Sequence, residues 1–181
     1  ETNAIGSDTN LGFYPAAPKL TLTNLLSEVD LQPTDIVLVD TGVYPIEPLE
    51  PILWKTSDGG ADGKPVLCIG STHADGSWFV SPIPPTRWQL NVEAPYVSMR
   101  NLNFSYGSLQ FTCGGIVASN LWVTNGNVEV SGGNSVFANS LLDRGSLLIS
   151  GESNAVDRVV QRWGQTTLAG ANVTMRRSVV Y

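Results

Sequence analysis

The sequence predicts an all-β fold: a parallel β-helix solenoid with 19-residue coils and a short N-terminal capping helix. Three observations carry this. Gly107, Gly126, Gly145 and Gly164 recur every nineteen residues, as do Cys113, Gly132, Gly151 and Gly170. Apolar columns keep the same period: Leu109, Val128, Leu147, Thr166; two residues on, Phe111, Val130, Ile149, Leu168; and, more loosely, Leu102, Leu121, Ser140, Val159. Asn101, Asn120 and Asn139 form a further column where the chain must turn. A fixed period near twenty residues marks a solenoid. Columns two apart face the same side of a strand, so Leu109 and Phe111 point inward and Gln110 outward. The recurring glycines are expected where φ is positive. Equivalent positions on successive coils stack at roughly 4.8 Å.

The whole chain, 1–181, reads as one β-helix domain. Residues 1–35 are lead-in and capping helix, 36–96 are irregular first coils, and 97–181 are regular coils with an open C-terminal end. In the lead-in, Leu22, Leu25, Leu26 and Val29 have helical spacing, with Thr21 or Thr23 as N-cap. That helix covers the first coil, whose apolar end needs a cap. Ile36–Asp40 form the first strand, and Thr41–Tyr44 turn out of it. A connection with Pro45, Pro48 and Pro51 follows, then a Gly-rich turn at Asp58–Gly63 and a strand at Val66–Ile69. The period also reaches backwards. Leu90, Val92 and Ala94 share columns with Leu109, Phe111 and Cys113, while Trp88 takes the glycine position beside a wall made irregular by Pro82, Pro84 and Pro85.

Composition narrows the function classes. The chain has 181 residues, 18 glycines and 14% charged residues, which suits a turn-rich solenoid. The net charge of −6 argues against a nucleic-acid partner. Residues 1–96 hold four Lys/Arg against twelve acids, and residues 97–181 hold six Arg against four acids, so the rod is acidic at one end and basic at the other. No apolar run approaches the ~18 residues of a membrane span. The chain starts at Glu1 and is expected to be a mature or excised piece of a longer precursor. Cys68 and Cys113 are expected unpaired, with a disulfide as the alternative.

Asp8, Gly12, Pro15, Pro18-Lys19, Leu22, Leu25, Pro33-Thr34-Asp35, Ile36, Val39 and Thr41-Gly42-Val43-Tyr44 resemble the leading segment of right-handed parallel β-helix proteins of the pectate-lyase-like superfamily. Thr34 stands where that pattern has glycine. Residues 57–70 are similar to the second coil of those proteins. The resemblance covers residues 8–70 and implies a right-handed coil and an extracellular or cell-surface setting, as in segments of long bacterial surface proteins. The superfamily also holds polysaccharide lyases and hydrolases, so fold does not fix function.

Lyases of this fold are similar in clustering carboxylates, often around calcium, near an Arg or Lys. After residue 97 the acids are Glu129, Asp143, Glu152 and Asp157, each in a different column. Asp143 precedes Arg162, and Asp157 precedes Arg176, by nineteen residues, which predicts ion pairs between coils. Asp58 and Asp62 read as turn residues rather than calcium ligands, and His73 as an exposed loop residue. No catalytic, cofactor or metal residue is assigned. Tyr106 and Trp163 each precede a repeating glycine and share an edge with Arg87, Asn125 and Arg144, with roughly 14 Å between the two aromatics. Tyr106, Arg144 and Trp163 are therefore candidate carbohydrate contacts, against the plainer reading of turn aromatics. Trp122 projects from another wall as a contact for a partner. Asn103 and Asn172 head glycosylation triplets. No Thr-x-Thr ladder supports ice binding. Arg176, Arg177, Val179 and Tyr181 are candidate head-to-tail contacts at the open end, a geometry that yields filaments when it does not close. The expected role is a structural or adhesive surface module, with carbohydrate binding and, ranked last, polysaccharide cleavage as alternatives.

Overall fold

The computed structural model describes residues 6–47 and 50–181. Glu1, read as a processed start, and Pro48 of the proline-rich connection lie outside the described residues. The strands wind into coils, and each full coil gives one strand to each of three parallel sheets. The first sheet stacks seven strands from Ile36–Val39 to Thr174–Arg176, and the second seven from Gly42–Pro45 to Val179–Val180. The third stacks six from Ile52–Trp54 to Gln165–Leu168. With parallel crossovers in every sheet, this is the right-handed parallel β-helix that the periodicity and the resemblance predict.

The register explains why only part of the chain looks periodic. Ser98, Val117, Val136, Ala155 and Thr174 stand side by side, nineteen residues apart. Leu90 pairs with Leu109 and Val92 with Phe111, so the third wall is already regular at Trp88. Elsewhere the early coils are larger. Ile36 pairs with Leu67 and Leu67 with Ser98, Gly42 with Ser77, and Trp78 with Asn103. The strands keep their spacing while extra residues leave as loops at 55–65, 71–76 and 81–87.

Six positions per coil point inward. In the coil starting at Val97 these are Val97, Met99, Leu102, Phe104, Leu109 and Phe111, all buried. The next coil repeats the set with Ile116, Ala118, Leu121, Val123, Val128 and Val130. The coil after that places Ser135 and Ser140 inside, and the following one Asn154, Gln161 and Thr166. These polar groups serve the coil below them. Ser135 Oγ accepts from Ile116 N at 3.2 Å, Asn154 Oδ1 from Ser135 N at 2.8 Å and Ser140 Oγ from Leu121 N at 3.1 Å. Gln161 Nε2 donates to Gly145 O at 2.9 Å, and Thr166 Oγ1 hydrogen-bonds Gln161 Oε1. At the other end the core is aromatic: Phe79 stacks on Phe104 at 5.6 Å, and Trp88 lies 5.9 Å from Phe104.

The corners correct the expectation about glycine. Positive φ does occur three times per coil, in files headed by Tyr96, Asn101 and Tyr106. The file from Asn101 continues through Asn120, Asn139, Arg158 and Arg177, at φ between 49° and 57°. The file from Tyr106 continues through Asn125, Arg144 and Trp163. Gly126, Gly145 and Gly164 follow these corners and are not themselves left-handed. They are small because each sits on the backbone carbonyl of the glycine one coil below, which a Cβ would overlap. Gly107 instead makes room for the Trp88 ring, which explains the tryptophan standing in that column.

The helix Leu22–Glu28 buries Leu26 and packs Leu22 and Leu25 against the first coil. Thr21, the first of the two expected caps, accepts from Asn24 N at 3.1 Å. The lead-in is pinned to it: Asp8 Oδ1 accepts from Thr21 N at 2.9 Å. The Lys19 ammonium, its side chain only 4% exposed, reaches Asp8 O at 3.0 Å, Asn24 Oδ1 at 2.6 Å and the Glu28 carboxylate. That contact, helped by Asn24, holds the Glu28 carboxyl below its usual range. Thr34 adopts φ +83°, a left-handed conformation that suits the glycine of the related pattern.

Candidate functional site

The edge singled out from sequence is only partly assembled. Tyr106, Asn125, Arg144 and Trp163 occupy one file of left-handed corners. The Arg144 guanidinium lies over the Trp163 ring, 5.6 Å from its centroid, a cation–π contact that occupies one ring face. Trp163 is otherwise 66% exposed. Tyr106 is half-buried and sits two coils from Arg144, with Asn125 between.

The predicted ion pairs need correction. Asp143 and Arg162 are register neighbours, as are Asp157 and Arg176. Yet Asp157 pairs with Arg177, through Nε at 2.9 Å and Nη2 at 2.5 Å, and more loosely with Arg158 at 3.6 Å. Arg177 turns back from the corner above and takes the carboxylate, while the register neighbours Arg162 and Arg176 make no ion pair among the described residues. Arg177 holds the Asp157 carboxyl below its ordinary value. Among the described residues, no carboxylate lies within 4.0 Å of Arg162. Asp143 Oδ1 is buried without a hydrogen-bond partner.

Asp58 is buried in a 3-10 turn, where its carbonyl accepts from Trp54 Nε1 at 3.0 Å, while Asp62 lies in the adjoining turn. Among the described residues, no three His, Cys, Asp or Glu side chains gather as a metal site. His73 is exposed beside Asp75 at 3.3 Å. Both cysteines are free. Cys68 is buried, with its thiol pushed up to about 12 by desolvation, and Cys113 is half-buried. Asn172 is an exposed left-handed corner, whereas the Asn103 amide packs into the space above Gly76. At the last coil Arg176 is exposed and Arg177 is engaged by Asp157. Val179 pairs in register with Val160, and Tyr181 N donates to Gln161 O at 2.9 Å.

Trp122, expected to project outward, does so on the outer face of the second sheet, beside a tryptophan that sequence reasoning missed. Trp78 and Trp122 stand two coils apart with Asn103 between them in register. Their rings meet edge to face, centroids 5.1 Å apart. Two shallow, open depressions of about 350 and 530 Å³ adjoin there and share Asn120 and Trp122. The smaller runs past the His73 loop and Asn101, and the larger past Asn139 to Arg158 and Arg162. Together they form a groove along the rod axis. It spans four coil steps, about 19 Å at the usual strand spacing. Asn120 Nδ2 donates to Asn101 Oδ1 at 3.2 Å, which sets the amides of its wall in a row. The lining holds two arginines and a histidine and no carboxylate.

No protein-family model matches this chain, and no curated protein matches it. Among solved structures, it resembles a mannuronic acid specific polysaccharide family 6 lyase from human gut microbiota, with TM-score 0.51 and 12% identity over 86% of this chain and 56% of that one. A rhamnogalacturonan lyase aligns over 97% of this chain and 61% of its own, with TM-score 0.49 and 11% identity. Pectate lyase Pel9A aligns over 88% and 51%, with TM-score 0.45 and 14% identity. The chain thus spans between half and two thirds of these enzymes. The likeness to the first establishes the parallel β-helix fold and nothing about activity.

Proposed function

We propose that this chain is a structural and adhesive β-helix module displayed outside the cell, a stiff rod that presents ladders of side chains to a partner. One observation carries the reading. From Val97 onward every wall advances by nineteen residues, with corners and inward side chains in single file. Such a stack fixes the spacing of whatever its faces display. The extracellular setting is supported by the resemblance over residues 8–70. The opposed charges of the two ends favour head-to-tail association, with Arg176, Val179 and Tyr181 among the contacts.

Incubation with polyuronates, with and without calcium, tests the reading. No growth in the absorbance of unsaturated products is expected, and turnover at an enzymatic rate overturns it. Mass photometry across salt concentrations tests the association. End-to-end species are expected at low salt and should disperse as salt rises, because charge contacts are screened. A monomer at every salt concentration removes that part.

A further inference from the structure

We propose that the groove on the second sheet binds a linear polysaccharide bearing anionic groups, laid parallel to the rod. The inference rests on the adhesive reading and names its ligand and its site. Four features of the groove converge on it.

Trp122 is 43% exposed and braced edge-on by Trp78, so its ring is held still at no further entropic cost when a ligand arrives. A fixed aromatic plane suits the apolar face of a sugar ring. Asn101, Asn120 and Asn139 repeat along one wall at the coil spacing, offering amide donors and acceptors to successive hydroxyls. Arg158 and Arg162 stand at the far end: Asp157, outside the lining, reaches Arg158 only at 3.6 Å and is engaged more closely by Arg177, and among the described residues Arg162 has no carboxylate within 4.0 Å. Arginine forks match carboxylates and sulfates. Finally, the groove is shallow and elongated. A small molecule would stay largely in water there, whereas a polymer gains one contact per coil.

The site lies away from the Tyr106–Trp163 edge. Arg144 already covers one face of Trp163, so that edge offers less platform than Trp122. The sequence pointed to neither the pairing of the tryptophans nor the acid-free lining.

Affinity electrophoresis of the full chain through gels holding polygalacturonate, chondroitin sulfate or a neutral β-glucan tests the proposal. Retardation is expected in the two acidic polymers, weakening as salt rises. Trp122→Ala should weaken binding about tenfold, as loss of a buried aromatic anchor does. The double variant Arg158→Gln/Arg162→Gln should weaken it similarly and flatten the salt dependence. Trp163→Ala should bind as the unaltered chain does. All four positions are at the surface, and circular dichroism melts confirm that the variants fold. Three results overturn the proposal: no retardation in any gel, unchanged binding by Trp122→Ala, or loss in Trp163→Ala alone. Binding to the neutral glucan only, indifferent to the arginines, overturns the anionic assignment. None of these outcomes alters the turnover or association measurements, so failure of the groove is separable from failure of the rod.

Discussion

Replacing Thr34 by glycine should stabilise the protein. Thr34 is a β-branched residue held at φ +83°, and among the described residues its exposed side chain makes no hydrogen bond that glycine would lose. Its backbone N–H donates to Pro65 O at 3.3 Å, and that bond survives the change. The left-handed conformation costs an L-residue about 1–2 kcal/mol, more for one branched at Cβ. Glycine escapes that cost and gives back about 0.5–1 kcal/mol through its freer unfolded chain. The net gain is about 0.5–1 kcal/mol. For a chain of this size it raises Tm by about 1–4 °C. Urea unfolding followed by circular dichroism should show a later midpoint with an unchanged slope. Hydrogen exchange should slow in the coil beginning at Ile36, next to the substitution. Asn139→Gly is the control. Asparagine tolerates the same conformation at φ 50°, so glycine there adds only entropy to the unfolded state and should lower stability. A midpoint for Thr34→Gly at or below that of the parent would refute the strain argument.

Other substitutions probe the packing and the electrostatics. Gly145→Ala should cost about 3 kcal/mol or more, beyond ordinary overpacking, since its Cβ meets the rigid carbonyl of Gly126; a loss under about 1 kcal/mol, typical of glycine in open backbone, would contradict the stacking. Lys19→Met removes a buried ammonium that bridges Asp8, Asn24 and Glu28, and should cost about 1–3 kcal/mol. The cost should appear as faster proteolysis within residues 6–20. The Asp157–Arg177 pair makes an acid-dependent contribution. The folded pKa of Asp157 lies below its ordinary 3.8, so the pair's stabilisation is complete above that value and drains away as pH falls through the lowered one. Arg177→Gln should therefore lower the melting point at neutral pH and converge with the parent in strong acid.

Much of the architecture was legible because a parallel stack converts spacing into contact. Leu109, Val128 and Leu147 could be placed side by side from their numbers alone, and so could the corner asparagines. Legibility failed where a side chain leaves its file. The partner of Asp157 is Arg177, one residue past the register neighbour, because a corner residue swings back across the step between coils. The glycine files were found, but their cause was misjudged: the left-handed residue is the one before, and the glycine answers to crowding. Trp122 was expected to project from its wall, but its pairing with Trp78 was beyond reach for another reason. Trp78 belongs to a coil whose loops change the count, so its pairing with Asn103 follows no period. The candidate groove depends on that pairing.

The interior of the rod changes character along its length, from aromatic and aliphatic near Trp88 to Asn154, Gln161 and Thr166 four coils along. Aliphatic coils gain from leaving water, whereas amides and hydroxyls trade one set of hydrogen bonds for another at little profit. Under a pulling load, therefore, the stack unspools from its amide-rich turns and halts at the aromatic block. A break at that end becomes a retreat of a few coils, and the block of Phe79, Trp88 and Phe104 is the last to let go.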